Sequence, residues 1–537
     1  MRRDYFKFIL FTFLGVIGLS SCTNLEIKET DSIISEGFQG LADASSSVND
    51  LYGSLNGEYG TQEDIYALME VTADAAIVPT RGGDWGDNGR WRVLHQHAWT
   101  EEQLFVVNTF GDWNAIQLRA SQILDPRSNP TAGNIGDASM IRAWAVWVIL
   151  DLYGQVPFRD VTLPSSTIPE VLTGADAISL ILSDLDTAIS NLPATQAGSG
   201  DDNGRGSKAA ARYLKAKVLL NKHIYLGGSP EQSDLSEVVS LVDAITADGY
   251  ALQSGYFDIF RESADSETIL WLAADVGTRI YNGLHYNSTT VDGGGWNGFA
   301  TLAEYYDLFE GDANNNRFDA ADGNALDGQE ERRGGVPPAG KLFSGEPGTS
   351  DNGGFENGSN VGYGFLVGQQ YDLDGTALNS RPGPPLNFSR DFVDGSGAAS
   401  FINNSETTGI RVIKYQPRYG GRLNHMVVFR YADAYLMKAE AMLRLGQDIT
   451  AMVNDLRSLR GASTFQGSVT EQDLLDERAR ELFAEGWRRN DLIRFGQYGR
   501  DWLFKEPSSV NNPDRQIFPI PAPQLLANPN LVQNPGY

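Results

Sequence analysis

Six stretches of this chain place apolar side chains at the three- and four-residue spacing of an α-helix. In 174–192, Ile178, Ile181, Leu182, Leu185, Ile189 and Leu192 share a face, and Pro193 stops the run because it lacks an N–H and crowds the preceding turn. Segment 235–245 repeats the pattern through Leu235, Val238, Val239, Val242 and Ile245. Segment 207–225 opens on Ser207, whose hydroxyl suits an N-cap, and runs through Ala211, Leu214 and Val218. In 140–153 the residues Ala143 to Leu150 are apolar on all sides, which predicts a helix buried on several faces. Near the C-terminus, 430–445 (Ala432, Leu436, Ala439, Leu443, with Gly446 as expected C-cap) and 471–487 (Leu475, Ala479, Leu482, Phe483, Trp487) behave the same way. A lone helix hairpin cannot bury its own apolar face, so neighbours such as 207–225 and 234–248 must stack. The expectation is a mainly α fold, a tetratricopeptide-like stack of helix hairpins, although no clean consensus repeat accompanies it.

The first residues are an address rather than part of that fold. Arg2, Arg3 and Lys7 precede an apolar run from Phe8 to Leu19. The run is short of the roughly 20 residues that cross a bilayer, but it suits a secretory signal. Leu19-Ser20-Ser21-Cys22 resembles the bacterial lipoprotein cleavage box, which implies a signal peptide over 1–21, cleavage before Cys22 and lipidation of that residue. Cys22 is the only cysteine, so no intramolecular disulfide and no cysteine-based metal cluster can form. Thr23–Asp31 reads as a polar tether, and no later stretch is long and apolar enough to span a membrane.

Between about 280 and 425 the helical pattern gives way to Gly, Asn, Asp and Pro: Asp292-Gly293-Gly294-Gly295, Asn314-Asn315-Asn316, Asp351-Asn352-Gly353-Gly354 and Pro382-Gly383-Pro384-Pro385. Long loops in a compact protein are functional or disordered. The aromatics embedded here (Tyr281, Tyr286, Trp296, Phe355, Tyr363, Phe365) argue for ordered, functional loops. Two clusters stand out. One is Arg81-Gly82-Gly83-Asp84-Trp85-Gly86-Asp87-Asn88-Gly89-Arg90-Trp91; the other is His285-Tyr286 with Trp296-Asn297. An indole or phenol ring offers a flat apolar face to the C–H side of a sugar, while neighbouring Asp, Asn and Arg bond its hydroxyls. The candidate ligand-binding residues are therefore Trp85, Trp91, Trp296, Tyr286, Arg81, Asp84 and Asn297, against the alternative that some of these rings only pin the loops. An aromatic-anchored peptide site has the same ingredients.

The formal net charge of −27 repels phosphate backbones and excludes sequence-independent nucleic-acid binding. It also leans against sulfated or uronic-acid polymers, a lean that Arg81, Arg90 and Arg92 oppose locally. The chain has no Gly-x-Ser-x-Gly elbow, His-Glu-x-x-His helix or Walker A loop. Gly293 to Gly298 matches G-x-G-x-x-G, but polar Asn287-Ser288-Thr289-Thr290 stands where a buried strand is required. His95-Gln96-His97 places two imidazoles on one face of a strand without a third ligand, and reads as ordinary polar or loop residues. Asp312, Asn314 and Asn316 occupy the first three odd positions of a Ca²⁺ loop. Arg317 and Gly323 then stand where that loop needs Gly and Glu, leaving only a looser structural Ca²⁺ site open. No other metal and no cofactor is expected. Among 69 acids some pair will lie at glycosidase distance by chance, and none stands out.

Five motifs in order carry a resemblance. They are Arg142 to Pro157, ending Asp151-Leu152-Tyr153-Gly154-Gln155-Val156-Pro157; Gly204-Arg205-Gly206-Ser207-Lys208; Arg430-Tyr431-Ala432-Asp433-Ala434-Tyr435-Leu436-Met437-Lys438-Ala439-Glu440-Ala441; Glu477-Arg478 through Glu485-Gly486-Trp487-Arg488-Arg489-Asn490-Asp491 to Phe495-Gly496; and the closing Phe518-Pro519-Ile520-Pro521 with Asn528 to Tyr537. Behind a lipoprotein box they resemble the SusD/RagB family of outer-membrane nutrient-binding lipoproteins of Bacteroidetes. The resemblance implies an N-terminal helical region over 22–255 and a C-terminal region over 256–537 that includes the loop-rich, ligand-binding lobe. It implies binding of an oligosaccharide, or a peptide in some members, without catalysis. It also implies an outer-membrane position facing the exterior and a SusC-like TonB-dependent barrel as partner. Arg430, Glu440, Glu477, Arg478, Glu485 and Arg494 are expected in buried ion networks rather than on ligand. The rival from another class is a surface glycoside hydrolase, and a third is a scaffold without ligand.

Overall fold

Asp43 accepts the Ser46 N–H and starts α1 (Ala44–Gly60) in a computed structural model that describes residues 37–260, 265–288, 294–316, 328–336, 361–372, 376–415 and 424–537. Cys22 and Phe355 lie outside the described residues. After α1 come α2 (Asp64–Glu70), α3 (Arg90–His95), α4 (Leu104–Leu124), α5 (Ala132–Tyr153), α6 (Gly174–Asn191), α7 (Lys208–Leu226) and α8 (Gln232–Ala247). From α4 to α8 each helix packs on the next, the stack that the periodicity requires. Ser207 caps α7 by accepting the Ala210 N–H at 3.1 Å. α5, apolar all round, is sealed at its start by a Thr131–Asn134 capping box, and buries Trp144 and Trp147.

The loop-rich part is held by short antiparallel strands. A hairpin joins β1 (Gln155–Phe158) to β2 (Glu170–Thr173), and β3 (Thr268–Leu272) pairs with β10 (Met426–Arg430) through an irregular register near Phe429. Between β3 and β4 comes α9 (Gly277–Gly283). A four-stranded sheet runs in the order β4 (Ala300–Thr301), β9 (Ile410–Ile413), β6 (Tyr363–Leu366), β5 (Gly334–Gly335), with α10 (Ala303–Tyr306) following β4. β7 (Gly368–Gln369) and β8 (Asn387–Phe388) make a further pair. One apolar core runs unbroken from Ala44 to Leu531, so stack and lobe share an interior.

The C-terminal helices α11 (Tyr431–Arg444), α12 (Thr450–Leu459), α13 (Glu471–Glu481) and α14 (Arg488–Arg494) close the stack, with α11 against α7, α8 and α13. The apolar stripe predicted over 471–487 is not one helix. The chain leaves α13 at Leu482, and Ala484 and Gly486 take left-handed backbone at φ 57° and 80°. The turn aims Glu485 at Lys414 and Arg430 and presents the Gly486 N–H to the buried Glu70 carboxylate. Buried charge, not helix propensity, sets this break.

Six cations and their carboxylates form a network in the interior. Arg430 bonds Glu267 (2.8 Å), Glu481 (2.8 Å) and Glu485 (2.7 Å). Arg460 shares Glu267 and Glu481, and Arg332 bonds Glu330, Glu477 and Glu481. Arg457 and Arg480 complete the shell of Glu477, and Lys414 that of Glu485. Nearby, Asp433 is held by Lys217 and Arg478, while Arg494 joins Glu440 to Asp491. Ionised groups survive at such depth only when paired and hydrogen-bonded. The family-motif residues therefore have a structural task here.

Candidate functional site

The loop 81–89 is closed by a pair of main-chain hydrogen bonds between Arg81 and Asp84 (2.9 and 3.0 Å). Trp85 then takes a φ of 57°, left-handed backbone that costs a bulky residue about 1–2 kcal/mol. What holds it there lies more than two hundred residues away. Its indole N–H donates to the Trp296 carbonyl at 2.8 Å. Its ring lies against Gly298, where a Cβ would come within 2.2 Å of it. Only glycine at 298 admits this approach, which fixes the two predicted clusters against each other.

Trp296 is the most open of the predicted rings, 37% exposed, with its ring 5.3 Å from Tyr281 of α9. Trp85 is half-buried, standing edge-on to Trp91 (5.8 Å) and Phe299 (6.0 Å). Around this aromatic surface lies a polar ring. The Arg381 guanidinium sits 3.9 Å over the Tyr286 ring, donates to Asp84 Oδ2 at 2.8 Å and to Glu406 Oε2 at 2.7 Å. Burial and the Asp84 carboxylate push the Tyr286 phenol up to about 12, so it stays a neutral donor. His285, buried beneath, has its Nε2 3.5 Å from Glu406 Oε1 and is pushed down to about 4 by that burial. It is therefore a neutral strut and adds no charge to the surface.

Three of the predicted residues do not reach this surface, and for each the reason is a bond inside the frame. Trp91 is 1% exposed, its indole N–H on Asp87 Oδ2 (2.7 Å) and its ring on Phe105 and Phe299. Arg81 is buried, donating to the carbonyls of Asn297, Ser405 and Thr408 and to Asn404 Oδ1. Burial pushes its guanidinium down to about 9. Asn297 is buried too, its amide bridging Arg411 Nε (2.8 Å) and the Glu406 carbonyl (2.9 Å). These three anchor the loops. Trp85, Trp296, Tyr286 and Asp84 lie together, with Arg381, Glu406 and Tyr281 beside them. Arg381 carried one legible signal, its place beside the rigid Pro382-Gly383-Pro384-Pro385 turn; Glu406 carried none.

Other candidates from the sequence resolve into structure. His95 ends a helix and His97 follows it with φ 57°, not on a strand. Both are buried, with Nε2 atoms 2.8 Å from the carbonyls of Leu503 and Thr72. In the Asp312–Asn316 loop the Arg333 guanidinium bonds the main-chain carbonyls of Asp312 and Asn315. Arg317 and Gly323 lie outside the described residues. Two interior chambers sharing Tyr66, Arg279, Lys414 and Tyr415 hold about 40 Å³ each, far below the roughly 300 Å³ at which ligand pockets begin.

The exposed rings, the clamped arginine and the helix stack can be set against known proteins. The SusD family profile matches residues 272–537. The starch-binding protein SusD of Bacteroides thetaiotaomicron is 27% identical over 540 residues, covering 88% of this chain and 91% of that protein. Residues 272–537 of the chain belong to the SusD family. The chain's fold is that of a laminarin-binding SusD-like protein (TM-score 0.62, 20% identity, 93% of this chain and 100% of the other). It matches equally the surface glycan-binding protein A of B. thetaiotaomicron solved with laminarihexaose (TM-score 0.63, 17% identity, 91% and 98%). This is a family of carbohydrate-binding proteins and not of enzymes. Among the described residues no helix is long and apolar enough to cross a membrane.

Proposed function

We propose that the Trp85–Trp296 surface binds an oligosaccharide, the rings covering the C–H faces of sugar units and Asp84 and Arg381 bonding hydroxyls. The observation that carries this is the convergence of two remote loops into one exposed aromatic surface rimmed by donors and acceptors. The starch- and laminarin-binding relatives support the same ligand class. Asp84 and Glu406 share one guanidinium, and the family's carbohydrate-binding members support a sugar that is held and not cut. The chain works without a cofactor. It is tethered by a lipid on Cys22 to the outer face of the outer membrane, and it passes its ligand to a SusC-like TonB-dependent barrel.

Display of the detergent-solubilised chain to a mixed glycan and peptide array tests this reading. Saturable binding to a glycan class, weakened about 30-fold in Trp296→Ala, is the expected outcome. Retention of peptides alone favours a RagB-like peptide receptor, and release of new reducing ends favours a hydrolase; either overturns the proposal.

A further inference from the structure

A second open surface lies beyond the loop that supports the first. It is an open trough of about 860 Å³ between the start of α10 and the loop 501–510, within the roughly 300–1,000 Å³ of ligand sites. Trp502 lines it from beneath, 4% exposed, with the Lys505 ammonium 3.5 Å over its ring and its indole N–H buried without an acceptor in the protein. Leu503, 43% exposed, and Phe504 stand on the wall, and the exposed carboxylates of Glu304 and Asp501 flank it. Phe504 takes a φ of 66°, backbone that a bulky side chain adopts only when its surroundings force it.

Packing and hydrogen bonds tie the wall of the trough to the loop that carries the aromatic surface. Phe504 stacks on Phe401 (5.2 Å, 11°). The Phe401 carbonyl accepts the Thr80 N–H, and the Thr80 carbonyl accepts the Asn404 N–H at 2.9 Å. Thr80 begins the loop that carries Trp85, and Asn404 holds Arg81. The nearby cations are already taken: Lys505 donates to the carbonyls of Tyr498 and Arg500, and Arg500 bonds Asp74. What remains exposed is apolar surface between acceptors, which suits hydroxyl donors and repels anions.

We propose that this trough is a second carbohydrate subsite, which takes the continuation of a neutral oligosaccharide too long for the Trp85–Trp296 surface alone. The inference rests on the glycan-binding reading above, and the test separates the two. Calorimetric titration of the full chain in detergent compares disaccharides with octasaccharides of the malto- and laminari- series. The octasaccharide is expected to bind about tenfold tighter than the short ligand. The double variant Asp501→Asn/Leu503→Ala, both positions exposed, is expected to lose that gain while keeping its affinity for the short ligand. ¹⁹F NMR with fluorotryptophan, the Trp502 signal assigned through Trp502→Phe, is expected to show that signal moving with octasaccharide even in Trp296→Ala. Equal octasaccharide affinity in wild type and double variant, or a Trp502 signal that no octasaccharide moves, overturns the subsite. A Trp502 response with no effect of Trp296→Ala on any affinity instead overturns the first surface and leaves the trough standing.

Discussion

At the scale of single residues, two tryptophans of the predicted clusters, Trp91 and Trp296, have opposite tasks, and burial separates them. Trp296 is open, so Trp296→Ala should weaken glycan affinity by about 2 kcal/mol, near 30-fold, and leave the melting temperature unchanged. Trp91 is packed against Phe105 and Phe299, so Trp91→Ala should cost about 3–5 kcal/mol of stability, read in a denaturant titration. The sequence could not tell them apart, because Gly, Asp and Asn surround both. A polar neighbourhood marks a loop, but which ring faces inward depends on Phe299 and Phe105, remote in sequence. The pairing of Arg381 with Asp84 spans 297 positions and was equally illegible.

At the scale of elements, the helices were readable because the apolar period is a local property. Ser207 and the stripes of α6 and α8 needed no tertiary information. The misread element is α13, where the period continues past the point at which Glu485 must turn toward Lys414 and Arg430. The loop contact that builds the site is a matter of close approach. Gly298→Ala puts a methyl within 2.2 Å of the Trp85 ring, and that ring is pinned through its N–H to Trp296. The expected result is loss of glycan affinity of at least about tenfold with secondary structure intact by circular dichroism. Unchanged affinity would mean that Trp85 is not part of the binding surface.

The molecule as a whole is knit by its interior charges. Burial alone would raise the Glu477 and Glu440 carboxyls. Arg332, Arg480 and Arg457 around the first, and Arg494 around the second, outweigh it and hold both at about 2. A carboxyl held below its ordinary 4.5 binds fewer protons folded than unfolded, so its stabilisation is full above that pH and fades as pH falls toward 2. The melting temperature should therefore drop steeply below about pH 4.5. Arg430→Met, which leaves Glu267, Glu481 and Glu485 short of a cation, should cost about 3–5 kcal/mol at neutral pH. The six motif residues expected in ion networks are there, because a long-range resemblance encodes what spacing alone does not.

The central claim is that exposed rings from two loops hold a sugar chain without breaking it. A crystal of the protein soaked with the glycan that the array selects tests it most directly. The account predicts an intact oligosaccharide with a sugar face against Trp296 and hydroxyls on Asp84 or Arg381. A glycan bound elsewhere with Trp296 bare, or a cleaved product in the site, would contradict it.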